Sequence, residues 1–230
     1  MTAARILIIV TSHAELGSTG KKTGFWLEEL AVPYRELTRA GAHVDIASPL
    51  GGKPPVDPSS ANNPAGEVAA FLADADATRK LDSTQRLDQV TEKYDAVFVA
   101  GGHGAVFDLA SSPVVADVLS RTYASGGVVA AVCHGPGALV NARKPDGSPL
   151  VAGHRVTGFS NEEEQAVGLT EVVPFLLESR LIELGGRYEH AGQWQPFAVR
   201  DGQLVTGQNP ASSGVTARET LAALAARQAV

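Results

Sequence analysis

Gly127-Val128-Val129-Ala130-Ala131-Val132-Cys133-His134-Gly135-Pro136-Gly137 is the stretch that decides the fold. Its first six residues carry no polar side chain, which is the pattern of a central parallel strand covered on both faces. Pro136 suits a first helical turn, so a helix is expected to start near Gly135-Pro136. Cys133 then sits at the corner of a strand-turn-helix unit, the geometry of a nucleophile elbow. Ala131 and Gly135 flank it at minus two and plus two, where larger side chains would clash across the turn. A helix starting there would aim free N–H groups and its positive end at the sulfur, lowering the thiol pKa. The His134 side chain is expected to diverge from its neighbour. Its backbone N–H is well placed to stabilise an oxyanion.

On both sides of this unit, short β-branched runs alternate with longer helical stretches. Ile6–Val10, Val44–Ala47 and Asp95–Ala100 read as strands. Phe25–Arg39 has helical spacing through Phe25, Trp26, Leu30, Tyr34 and Leu37, and Gly41 ends it. Residues 49–66 hold five of the 13 prolines and form a loop, followed by helical stretches near 66–80 and 83–92. Pro113–Ser125 reads as a helix capped by Ser112 and closed by Gly126. Arg155–Phe159 reads as a strand, Asp201-Gly202 as the turn of a hairpin, and the tail from Thr216 as helix. The alternation implies an α/β fold: a mostly parallel central sheet with helices on both faces, in one domain spanning 1–230.

Composition narrows the function. The 230 residues are 44% hydrophobic and 19% charged, as in globular chains, and the net charge of −6 comes without a basic block. Nucleic acid and anionic membrane are therefore not expected as partners. The single Cys excludes an internal disulfide framework and fits a reducing compartment. Ile6–Val10 is too short for a signal core or a membrane span, so a cytoplasmic protein is expected.

Ala100-Gly101-Gly102-His103-Gly104 forms a second glycine-rich turn just after a strand. In a parallel sheet both turns open at the carboxyl ends of the strands, where ligands bind. Amides of this turn are placed to complete an oxyanion hole with the elbow amide. The G-x-G start of a dinucleotide fingerprint fails at its third glycine. Glu28 and Glu29 lie about 100° apart on their helix. One can face the sheet and the other water, and the surrounding apolar positions do not decide which. Glu162, Glu163 and Glu164 follow a strand, with Asn161 as the expected N-cap. Glu15 and His13, past the first strand, are weaker candidates. His43, His154 and His190 read as ordinary surface or strand residues, and no paired metal spacing is present.

At these residues the chain resembles the DJ-1/PfpI superfamily, whose fold is the class I glutamine-amidotransferase-like, flavodoxin-like three-layer sandwich. Within it the chain looks like the branch of glutathione-independent glyoxalases (glyoxalase III) and heat-shock-type holding chaperones. The likeness runs through Lys22-Thr23-Gly24, Glu29 and Pro33, Asp45–Pro49, the two glycine-rich turns, Val156–Phe159 and Thr206–Ser213.

The resemblance implies roles. Cys133 matches the nucleophile, Glu29 the acid that contacts its sulfur, and His134 the triad histidine. Glu164 matches the acid that orients His134, with Glu163 the near alternative. Gly102 and His134 match the oxyanion amides, with His103 beside them in a substrate-binding position. It also implies a homodimer acting on a small-molecule aldehyde with no metal or organic cofactor. A thiolate attacking a 2-oxoaldehyde such as methylglyoxal, with a buried carboxylate moving a proton between adjacent carbons, yields a 2-hydroxy acid such as lactate. The alternatives are a thiol amidase or peptidase using the same set, and a non-enzymatic chaperone or redox sensor. Glu189-His190 reverses the late His-x-Glu of glutamine amidotransferases, so glutamine hydrolysis is not expected.

Overall fold

The fold is known from a computed structural model that describes residues 3–228. Its strands are β1 (Arg5–Ile9), β2 (His43–Ser48), β3 (Gln85–Arg86), β4 (Ala96–Val99), β5 (Val128–Val132), β6 (Arg155–Val156), β7 (Arg187–Tyr188), β8 (Ala198–Asp201) and β9 (Leu204–Gly207). Its helices are α1 (Leu27–Arg39), α2 (Gly66–Leu72), α3 (Ala75–Asp82), α4 (Gly104–Asp108), α5 (Pro113–Ala124), α6 (Asn161–Ala166), α7 (Leu177–Glu183) and α8 (Ser213–Gln228).

Seven strands form one sheet in the order β3-β2-β1-β4-β5-β9-β8. All neighbours run parallel except β8, which pairs with β9 across the Asp201-Gly202 turn. Every residue of β4 and β5 is buried, as the apolar run requires of a strand covered on both faces. Pairs such as Val97 with Val129 and Ala131 with Thr206 fix the register, so β4, β5 and β9 end side by side. α1 packs against α2 and α8 on one side of the sheet, and α5 packs on β4 and β5. This is the expected flavodoxin-like sandwich.

Local chemistry explains the helix boundaries. Ser112 accepts a hydrogen bond from Val115 N, and Pro113 occupies the first turn of α5. In α1, Pro33 lacks the N–H that would bond the Glu29 carbonyl, loosening the helix beside that residue.

Four local expectations are corrected. Residues 83–92 do not form a helix: Gln85–Arg86 pairs with β2 as an edge strand, and Leu87–Gln89 is a single 3₁₀ turn. The segment after Cys133 is a five-residue 3₁₀ turn, Gly135–Leu139, in place of the expected helix. Its two glycines and its proline give it little propensity to propagate as α. The strand at Arg155–Phe159 shortens to β6, which pairs with β7 in a separate ribbon. Ser160, one residue earlier than expected, caps α6 and forms a capping box with Glu163.

Candidate active site

Three strand ends meet at the sulfur. Cys133 follows β5 with φ of 59°, a left-handed conformation that is costly for a residue with a Cβ and is held by its surroundings. Cys133 N donates to Gly207 O at the end of β9 at 2.9 Å, and Phe159 N donates to Cys133 O at 2.9 Å. After β4, Gly101 and Gly102 bring backbone against the elbow. A Cβ at Gly101 would lie 2.6 Å from Glu29 Oε2 and 2.7 Å from His134 N, so only glycine fits. Gly102 takes φ of 95°. The backbone N–H groups of Gly102 and His134 favour the charged form of the sulfur. These are the two amides expected around an oxyanion.

Glu29 is fully buried and resolves the ambiguity on α1. Its Oε2 accepts from Gly101 N at 2.7 Å; its Oε1 has no well-aligned partner, and the Cys133 thiol is the polar group beside it. Burial, and to a lesser degree the Glu28 and Asp57 charges, push the Glu29 pKa well above the ordinary carboxylate value. Burial and Glu29 likewise push the Cys133 thiol up, against the two amides, which lower it. The expected thiol depression is therefore corrected: no α-helix supplies a dipole, and a carboxyl faces the sulfur. The pair avoids two negative charges in one buried site, so a thiolate at Cys133 requires a protonated Glu29.

His134 also departs from expectation. Its ring turns back to the nucleophile, with Nδ1 3.5 Å from Cys133 Sγ. The left-handed backbone at Cys133 turns the two adjacent side chains into the same cleft. His134 Nε2 lies 2.7 Å from Glu164 Oε2. Burial and the His103 ring hold the His134 pKa down to about 4. Burial pushes Glu164 up, but the two imidazoles more than offset this and hold it at about 2. The resting pair is a neutral imidazole donating from Nε2 to a carboxylate, with the Nδ1 lone pair toward the thiol.

Glu163 is engaged elsewhere. Its Oε1 accepts from Trp194 N, Gln208 Nε2 and Asn209 Nδ2, and its Oε2 from Ser160 N. It ties α6 to the end of β9. Glu15 pairs with Lys22 at the surface, and His13 stacks on Phe107. His43 and His154 pair with Asp45 and Asp201.

The sequence did not disclose that His103 shares Glu164. Its Nε2 lies 2.8 Å from Glu164 Oε1, and its ring lies 4.1 Å from that of His134. His103, His134 and Glu164 are the one group among the described residues whose donor atoms, all within 4.8 Å of one another, could hold a metal ion. Direct hydrogen bonds use the same lone pairs here. Also unforeseen are the cleft walls: a cavity of about 450 Å³ beside Cys133, lined by Trp26, Phe159 and Trp194 and by Glu28. The nearest sequence signal was Trp26, directly before the helix carrying Glu29.

The DJ-1/PfpI family pattern matches residues 22–223. The chain belongs to the DJ-1/PfpI family. Among its DJ-1/PfpI relatives, the glutathione-independent glyoxalase HSP31 of Saccharomyces cerevisiae is 32% identical over 97% of this chain and 99% of that protein. The crystal structure of glyoxalase III from Candida albicans superposes with a TM-score of 0.89 at 31% identity, covering 96% of this chain and 97% of that one. The rapid encystment protein of 24 kDa from Francisella tularensis superposes at 0.92 with 37% identity, covering 96% and 99%. Among the described residues no helix is long and apolar enough to cross a membrane.

Proposed function

We propose that this DJ-1/PfpI protein is a cysteine-dependent, glutathione-independent glyoxalase, converting a 2-oxoaldehyde such as methylglyoxal to a 2-hydroxy acid such as lactate. One observation carries the reading. The Cys133 sulfur lies at the floor of an open cleft between a buried carboxyl, Glu29, and an imidazole, His134, that a second carboxylate orients. Full-length likeness to two proteins named as glyoxalases supports it.

The chemistry follows from the proton count. Cys133 and Glu29 share one proton, and the reactive form is thiolate beside carboxylic acid. The sulfur adds to the aldehyde carbon, and the resulting alkoxide, held by the Gly102 and His134 amides, takes the proton from Glu29. Glu29, now a carboxylate in an apolar site, removes the hydrogen on the former aldehyde carbon as a proton and returns it to the adjacent carbon, while the hydroxyl proton passes from the first oxygen to the second. The product is a thioester of the 2-hydroxy acid. His134, backed by Glu164, takes a proton from a water that attacks the thioester, and collapse expels the Cys133 thiolate as the proton on His134 passes to the Cys133–Glu29 pair. The sum is aldehyde plus water giving acid.

In this reading the chain works as one domain, since one seven-stranded sheet takes in strands from both ends of the chain. It acts as a homodimer in the cytoplasm, as the family likeness and the single cysteine suggest. The test is incubation of reduced protein with methylglyoxal and no added thiol. Lactate formation that Cys133→Ala abolishes is expected. Unchanged methylglyoxal with a demonstrably free Cys133 would overturn the reading.

A further inference from the structure

Glu28 is the one charged side chain of the cleft that none of the chemistry above uses. It borders the same cavity as Cys133, together with Trp26, Phe159 and Trp194, and no Lys or Arg lines that cavity. Its carboxylate has no ion-pair partner among the described residues, and burial alone raises its pKa. His134 is neutral at physiological pH because burial holds it down to about 4. Between it and His103 lies Glu164, a second carboxylate. The cavity beside Cys133 thus carries the Glu28 carboxylate and apolar walls with no cationic side chain.

We propose that Glu28 is a specificity-determining residue, a charge filter that admits neutral carbonyl compounds to Cys133 and turns away carboxylate-bearing ones. This deepens the glyoxalase reading and rests on it for its physiological meaning. The substrate class is then neutral 2-oxoaldehydes, whose apolar substituent lies against the aromatic walls. Carboxylate aldehydes and 2-oxo acids of the same size are excluded. The filter also acts on turnover. The substrate enters uncharged and the product leaves as a carboxylate anion, so the same repulsion that does not hinder entry favours release. A site built to bind a carboxylate would place an Arg in this first turn of α1, where the helix N-terminus already favours an anion. Here a glutamate stands there.

Alkylation of the only cysteine tests this without any turnover, so it stands apart from the glyoxalase assay. Iodoacetamide and iodoacetate have nearly the same shape and differ in charge. Their rates at Cys133 are measured by intact mass and divided by the same ratio for a free thiol in solution. The wild-type protein is expected to favour the neutral reagent by about tenfold beyond the free-thiol ratio. In Glu28→Gln, an isosteric change at a half-buried position, that excess falls by roughly fivefold. Raising the ionic strength on the wild-type protein narrows it in the same direction. An unchanged excess in Glu28→Gln, or no excess in the wild type, overturns the filter while leaving the glyoxalase reading intact. Loss of the excess in a protein that does not consume methylglyoxal would keep the filter and remove the glyoxalase. Failure of both reagents to reach Cys133 would close the cleft to small electrophiles and sink both.

Discussion

Glu164 accepts a hydrogen bond from His134 Nε2 at 2.7 Å and so fixes which nitrogen of that ring is free. The proton is held on the far side, and the bare Nδ1 looks at the Cys133 sulfur 3.5 Å away. A buried imidazole with no such partner would be free to adopt either tautomer, and half of its orientations would present an N–H to the thiol.

Replacing that carboxylate by its amide tests the tautomer directly. Glu164→Gln keeps the shape but has one N–H face, which must oppose either His103 or His134. The kcat for methylglyoxal is expected to fall about 10²-fold or more, with KM changed far less, because substrate does not touch Glu164. A fall confined to KM would mean that the pair positions substrate and does not act in chemistry.

Glu29 offers a sharper cut. Glu29→Gln keeps a donor for the sulfur and the acceptor for Gly101 N but cannot carry a proton from carbon to carbon. Activity is expected to drop roughly 10²–10⁴-fold. Alkylation of Cys133 in the same variant is expected to persist, which separates a formed thiolate from a working proton shuttle. Retained turnover would assign the shuttle to another group.

Acid should unfold the protein early, and the sign follows from the pair. His134 titrates at about 4 in the fold against 6.5 ordinarily, so the unfolded chain takes up the proton first. Its contribution is complete above 6.5 and is lost as pH falls toward 4. Glu164, at about 2 against 4.5, loses its contribution below 4.5. Thermal melts are expected to show Tm declining steadily from about pH 6.5 downward. His134→Asn flattens the upper part of that decline. A Tm that is level between pH 7 and pH 4 would contradict the buried neutral histidine.

The outline of this site was legible because its parts carry strong local signals. The apolar run into Cys133 and the small residues around it specify the elbow whatever lies further away. Glu29 was narrowed only to a pair, since helical spacing leaves Glu28 and Glu29 about 100° apart and the sheet decides which is buried. Glu163 and Glu164 differ for the same reason. The first is drawn into a network with Gln208 and Asn209, distant in sequence, and only the second is left for His134. The thiol's electrostatics are not legible in the sequence, because Pro136 suggests a helix and its dipole where Gly135–Leu139 forms a single 3₁₀ turn. His103 was expected beside the oxyanion amides, but its bond to Glu164 was not legible because that partner lies 61 residues away on another element.

Gly101 tests how tightly the backbone is tied to chemistry. Gly101→Ala places a Cβ against Glu29 Oε2 and the His134 amide at once. Overpacking of this kind costs about 1–3 kcal/mol, read as a lower Tm, and the displaced amide should lower kcat as well. A variant as active and as stable as the wild type would show that the turn has slack the geometry does not provide.

The central claim is that substrate carbon becomes bonded to Cys133 and leaves as acid. Quenching the reaction with methylglyoxal in acid and mapping the mass of each peptide tests it most directly. The account predicts a transient gain of one methylglyoxal on the Cys133 peptide that decays as lactate accumulates, and that builds up when His134 is replaced by Asn and hydrolysis slows. Lactate production with no mass gain at Cys133, or an adduct confined to lysine and arginine side chains, would contradict it.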